Sequence, residues 1–204
     1  MSDVAALRRA PAQERSRLRV EKMLEAAMAI IAEKGSDALR MSDVAQMAGV
    51  SIGSLYQFFP DKAAIIRTLA ERYNEQGRRC IAEELAGVQD AKSLVAAFGR
   101  LIDIYYAAFL AEPVRRDVWS GMQADQSLRA FELAESRANA EILAQAMLKV
   151  RPKGDRKEIA AAALLIMSLG ESAMRLAVSV PRAEGARIIA AYKRLAVSEL
   201  GGRG

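Results

Sequence analysis

The chain has 204 residues, 52% of them hydrophobic and 27% charged, enough to bury a core in one domain or two small ones. It contains no histidine and a single cysteine, Cys80. This excludes histidine-dependent triads, histidine-ligated metals, internal disulfides and Cys-rich zinc frameworks, so no enzyme activity, metal or cofactor is expected. The net charge of +5, from 30 Lys plus Arg against 25 Asp plus Glu, permits a polyanionic partner without demanding one.

Residues 1–17 read as a flexible basic arm containing Pro11. From Arg8 to Lys22, six basic residues (Arg8, Arg9, Arg15, Arg17, Arg19, Lys22) face two acidic ones (Glu14, Glu21). The segment is either a solubilising tail or an arm that approaches a phosphate backbone. A helix is predicted from about Leu18 to Lys34, with Val20, Met23, Leu24, Ala27, Ile30 and Ile31 facing inward at spacings of three and four. Gly35 suits the left-handed position that ends it.

A short second helix is predicted to start at Ser42 as N-cap, with Val44, Ala45 and Ala48 inward and Gly49 as its break. Ser51 is a second N-cap. A third helix spans Ile52 to Phe58, with Leu55 inward, and ends before Pro60. Two helices joined by only Gly49–Val50 cross steeply, and Ala45, Ala48 and Gly49 let their backbones approach. The N-terminal end of the third helix is then free to enter a major groove. Around it, Gln57 suits an adenine edge, Ser54 can donate or accept, Ile52 suits a thymine methyl group, and Gly53 permits close approach. Tyr56, Lys62 and Arg40 are placed to reach phosphates, and free N–H groups near Ser42 offer another anion contact. Taken singly, these residues are ordinary caps and surface side chains; their joint placement around one helix–turn–helix carries the reading.

The stretch MLEAAMAIIAEKGSDALRMSDVAQMAGVSIGSLYQFFPDKAAII, Met23 to Ile66, closely resembles the DNA-binding domain of TetR-family transcriptional regulators. The shared landmarks are Ala26–Ala27, Gly35, Met41, Val44–Ala45, Ala48–Gly49–Val50–Ser51, Gly53, Leu55–Tyr56, Phe59 and Lys62. The resemblance implies that Ser51 to Phe58 is the recognition helix and that Ser42, Tyr56 and Lys62 hold the backbone of double-stranded DNA. It also implies a homodimer whose C-terminal domain binds a small molecule. Ile52 departs from the pattern, since many members carry a basic or polar residue there.

The rest of the chain is helical by pattern, with spans near 62–85, 91–110, 114–120, 125–148, 156–178 and 182–198. The breaks fall at Gly87, Glu112–Pro113, Ser120–Gly121, Arg151–Gly154 and Val180–Pro181. The predicted fold is therefore all-α: a three-helix helix-turn-helix domain over 18–66, then a helical ligand-binding and dimerisation domain over 67–204. Leu101, Tyr105, Tyr106, Phe109, Trp119, Met122, Phe131, Ile142 and Met167 are candidates to line a mostly apolar effector cavity, with Gln123, Glu171 and Arg175 adding polarity. Ordinary core is the competing assignment for each. A dimer seam is expected from Ile159, Ala163, Ile166, Gly170 and Met174 on one helix and Ile188, Ile189, Tyr192 and Leu195 on the next. Arg78 and Arg79 near Cys80 leave a redox-sensing thiol open.

No uninterrupted apolar run reaches membrane-spanning length, and the N-terminus lacks a secretory segment, so a cytoplasmic protein without a membrane partner is expected. The leading expectation is a sequence-specific DNA-binding regulator, a repressor released from a palindromic operator by a small molecule. The alternative is a helical small-molecule-binding or scaffold protein that does not bind DNA.

Overall fold

The computed structural model describes residues 3–124 and 128–201, and of 3–13, 123, 124 and 129 the backbone alone. The described elements are α1 (Asp3–Lys34), a 3-10 turn (Ser36–Ala38), α2 (Met41–Ala48), α3 (Ile52–Phe58), α4 (Lys62–Ala86), α5 (Ala91–Ala111), α6 (Pro113–Ala124), α7 (Arg129–Val150), α8 (Arg156–Val178) and α9 (Arg182–Leu200). The fold is all-α. The chain divides into two compact units, Met1–Glu71 with Asp117–Gln126, and Arg72–Arg116 with Ser127–Gly204. Both α4 and α6 run from one unit into the other.

The first unit forms around one face of α1. Met23, Leu24, Ala27, Ile30 and Ile31 recur at helical spacing and are buried, as are Val44, Ala45, Leu55, Phe59, Ile65 and Leu69 of the same unit. Each fully buried Leu, Ile or Met contributes about 1.5–3 kcal/mol. Among the described residues, the two positions with positive φ are glycines that end helices: Gly35 (φ 82°) after α1 and Gly49 (φ 67°) after α2. A side chain at either would be strained.

Two predicted boundaries and one reading of apolar length need correction. The first helix begins at Asp3 rather than Leu18. Residues 5–18 are rich in Ala, Leu, Arg, Gln and Glu, strong helix formers that carry the helix past Pro11. The helix predicted to break at Ser120–Gly121 continues to Ala124. Gly121 is there for space: a Cβ on it would stand 3.3 Å from Ile66 Cδ1 and from Ser36 Oγ. Finally, α5 and α8 do reach the length and apolarity of a membrane-crossing helix, with mean hydropathy 1.6 and 1.5. Averaging over a window passes isolated charges that interrupt a simple apolar run, and core helices satisfy the same test.

In the second unit, α7, α8 and α9 pack along their lengths, and α5 lies against all three. Phe98 of α5 meets Tyr192 of α9 edge to face, with centroids 6.2 Å apart. Gly170 makes room for Tyr192, whose hydroxyl donates to the Ile166 carbonyl at 2.6 Å. Asp90 caps α5 through a reciprocal pair with Ser93, and Asp155 caps α8 by accepting from the Lys157 and Glu158 amides.

Candidate nucleic-acid interface and effector site

The third helix is held by its caps and by one buried anchor. Ser51 Oγ accepts from the Ser54 amide at 3.1 Å, and the Phe59 amide donates to the Leu55 carbonyl. Leu55 is fully buried, whereas Ile52 and Tyr56 are 45% and 51% exposed. Gly53 and Gln57 are exposed as well. The outward face of α3 is thus Ile52, Gly53, Tyr56 and Gln57, an apolar group, a close-approach point, a phenol and a carboxamide. Ser54 does not join it. Its Oγ is buried without a hydrogen-bond partner, because the helical repeat sets it on the flank beside Phe58.

The flanking contacts are more constrained than the sequence suggests. Ser42 is not the cap of α2: Arg40 is the N-cap residue, in extended conformation and without a side-chain bond. Its carbonyl accepts from the Asp43 and Val44 amides, which moves the helix start one residue earlier. Ser42 Oγ donates to Asp43 Oδ1 at 3.1 Å, so its one hydroxyl proton must turn to meet a phosphate. Lys62 Nζ donates to the Asp37 carbonyl at 3.1 Å, but an ammonium carries three donors and keeps two. Arg40 is exposed. Asp61 caps α4 by accepting from the Ala64 amide at 2.8 Å. Met47, at the end of α2, is 53% exposed and is not among the residues the sequence pattern singles out. The side chains of Arg8 and Arg9 lie outside the described residues.

The candidate effector residues fall into two groups. Trp119 and Met122 belong to the first unit, where Met122 is buried. Leu101, Tyr105, Tyr106, Phe109, Phe131, Ile142 and Met167 belong to the second. Tyr106 is turned to the start of α9, where its hydroxyl reaches the Arg182 carbonyl at 3.5 Å and lies against Gly185. Phe109 lies 6.0 Å from the Arg115 guanidinium, which stacks 4.5 Å over Tyr73. Tyr105 stands over Gly77, where a Cβ would overlap its hydroxyl. Burial pushes the Tyr105 hydroxyl up to about 12.

Of the polar candidates, Glu171 is the informative one. Its carboxylate accepts from Ser136 Oγ at 2.9 and 3.1 Å. Burial pushes its pKa up to about 7, against the Ser136 hydrogen bond and the nearby Arg175 charge, with Glu132 adding to the rise. Arg175 pairs with Glu132 at 3.8 Å. The side chain of Gln123 lies outside the described residues. Ser136 and Asn139 are buried polar residues of α7 that sequence reasoning missed; their i, i+3 spacing on an otherwise apolar face was the available signal. The Cys80 thiol is pushed up by burial and by Glu84 and Glu83, the reverse of what a reactive thiolate requires.

The expected dimer seam is largely spent inside the subunit. Ile159, Ala163, Ile166, Gly170, Met174, Ile189 and Tyr192 are buried within the second unit, and Ile188 is half-buried. Only Leu195 of that set is fully open, at 72%. The open strip on α8 is instead Leu165, Leu169 and Leu176, 60%, 48% and 53% exposed. Because α8 is apolar on both sides, its two faces could not be told apart by periodicity.

Comparison with known proteins places both units. A family model for the tetracyclin repressor-like C-terminal domain (TetR_C_22) matches residues 92–203, and one for the bacterial regulatory proteins of the tetR family (TetR_N) matches residues 23–69. The uncharacterized HTH-type transcriptional regulator YvdT of Bacillus subtilis (strain 168) is 32% identical over 55% of this chain and 57% of its own length. The HTH-type transcriptional repressor KstR of Mycobacterium tuberculosis is 30% identical over 43% of this chain and 40% of its own. The chain thus spans about half the length of these relatives. A crystal structure of a TetR-family transcriptional regulator from Streptomyces coelicolor superimposes with TM-score 0.67 at 26% identity, covering 90% of this chain and 98% of that one.

Proposed function

Since the chain belongs to the TetR family of bacterial transcriptional regulators, we propose that α3 reads a DNA major groove, that the protein represses transcription, and that a small, largely apolar effector bound by the second unit releases it. The observation that carries this reading is the split of α3: Leu55 is fully buried while Ile52, Tyr56 and Gln57 stand in solvent. A helix that merely closed a core would hide Ile52.

Each outward residue then has a task. Gln57 pairs with a base edge, Ile52 packs on a thymine methyl group, and Gly53 brings the backbone close. Tyr56, Lys62, Ser42 and Arg40 hold phosphates and set the register. One helix of seven residues reads few base pairs, so two copies facing a palindrome supply the remaining specificity, their α3 helices about 34–36 Å or a multiple apart. The exposed leucines of α8, with Leu195 of α9, favour those faces as the seam between copies. Effector binding acts through its differential affinity for DNA-competent and DNA-incompetent states, with α4 as a covalent link between the units.

The test is fluorescence anisotropy with a labelled duplex from upstream of the protein's own gene and a scrambled duplex of equal length. The expected result is a preference of roughly 10³ or more for the upstream duplex at moderate salt. Equal affinity for the two, or none for either, would reject the reading.

A further inference from the structure

The interior of the second unit holds a carboxylate, Glu171, that the Ser136 hydroxyl and the nearby Arg175 charge offset only in part, burial being the larger effect. Arg78 pairs with Glu135, Arg115 with Glu112 at 3.4 Å, and Arg175 with Glu132 at 3.8 Å. Each of these three arginines has a carboxylate partner. Glu171 is left with the Ser136 hydroxyl, and among the described residues it makes no ion pair. A second observation lies one turn along α7. Asn139 is 9% exposed, and its Oδ1 is buried with no hydrogen-bond partner. An orphaned buried acceptor is destabilising, so it calls for a function.

These groups converge. Ser136 points at Glu171 of α8, and Glu135 points at Arg78 of α4. The α-helical repeat sets Asn139 angularly between those two directions, so its carboxamide faces the wedge between α8 and α4. Tyr105 of α5 stands near, its hydroxyl over Gly77 of α4 and within the field of Glu171. Backbone approach is sparser between α5 and the α7–α8 pair than between α7 and α8 themselves, leaving side chains to fill that space.

We propose that Glu171, Ser136 and Asn139 form the subsite that reads the effector's head group, and that this head group is a hydrogen-bond-donating cation, a primary ammonium on an apolar body. An ammonium supplies donors to the Glu171 carboxylate and to Asn139 Oδ1, and its charge balances the carboxylate. A carboxylate head would meet the Glu171 carboxylate at close range, with the Asn139 Nδ2 amide and Arg175 as the donors available to it, and would leave Asn139 Oδ1 unpaired. This inference rests on the second unit being the effector domain.

The pH dependence follows. Bound ammonium favours ionised Glu171, so affinity rises with pH through about 7 and stays high until the amine itself deprotonates, near pH 10. The other groups facing Glu171 are Tyr105 of α5, Glu132 of α7, Arg175 of α8 and Tyr192 of α9, with Arg78, paired with Glu135 of α7, and Cys80 of α4 beyond Tyr105. The two tyrosines are pushed up by burial, out of this range, Tyr105 to about 12.

The experiment is calorimetry of the full chain with three probes of one chain length, n-octylamine, 1-octanol and octanoate. It is run either side of the Glu171 midpoint of about 7, and each probe is also tested for release of the upstream duplex. The expected order on the alkaline side is amine, then alcohol, then acid, with the amine ahead by roughly ten-fold or more. Its lead should shrink several-fold on the acid side, and Glu171→Gln should abolish it while leaving octanol binding in place. Octanoate binding as tightly as octylamine, or an amine lead that survives Glu171→Gln, overturns the proposal. The wild-type order needs no variant to fold. Duplex binding without amine preference sinks the head-group assignment alone; amine preference without duplex binding sinks the regulator reading alone.

Discussion

Lys62 carries the clearest single-residue test of DNA contact. Its ammonium already holds the Asp37 carbonyl, so it is positioned before DNA arrives. Lys62→Ala is expected to weaken all duplexes similarly and to lower the slope of log affinity against log salt by up to about one; an unchanged slope in a salt titration would remove Lys62 from the interface. Gln57→Ala should instead relax preference at one or two base pairs, by about 1–3 kcal/mol, with unchanged preference in binding-site selection as the contrary result. Glu171 lends itself to a test of stability. Its pKa is raised in the folded state from 4.5 to about 7, so the folded chain binds the extra proton between those values. Stability is therefore fully present below about 4.5 and falls as pH rises through about 7, by on the order of 3 kcal/mol. Glu171→Gln should flatten that fall in denaturant titrations across the window; a parallel loss in both proteins would place the pH effect elsewhere. At this scale the sequence was most legible where a residue has one physical use. Gly35, Gly49 and Ser51 sit as their chemistry demands, whereas Ser42 and Ser54 offered two uses each and took the unexpected one.

Among the elements, α8 and α9 separate what burial settles from what periodicity leaves open. Tyr192 and Ile189 belong to the subunit's own core, so Ile189→Glu is expected to unfold the second unit by placing a charge in an apolar interior, not to split a dimer. The seam test belongs to the opposite face. Leu165→Glu combined with Leu195→Glu should leave the helical circular dichroism and its melting intact and convert a dimer to a monomer in light scattering; a persistent dimer would move the seam off these helices. Helix existence and type were readable throughout, because capping residues and breaks coincide with a 3.6-residue apolar repeat. Which face of α8 turns inward was not, since leucines and alanines surround it and only tertiary packing chooses between them. The start of α1 was misjudged for the converse reason: Pro11 outweighed neighbours that are strong helix formers.

At the scale of the whole molecule, the chain pairs a helix-turn-helix unit with a second helical unit, and α4 and α6 pass between them. The buried Ser136–Glu171 pair was illegible in sequence because its members are 35 residues apart and meet only when α7 lies along α8. The outward face of α3, by contrast, lies within one short segment, which is why it could be read in advance. That face is also where the account is most exposed to refutation. The direct measurement is selection of bound duplexes from a random pool by the wild-type protein and by Gln57→Ala. The account expects the wild type to enrich an inverted repeat whose half-sites are spaced by about one helical turn or a multiple, and the variant to lose preference within each half-site. Enrichment of no motif, or the same motif with equal stringency from both proteins, would contradict it.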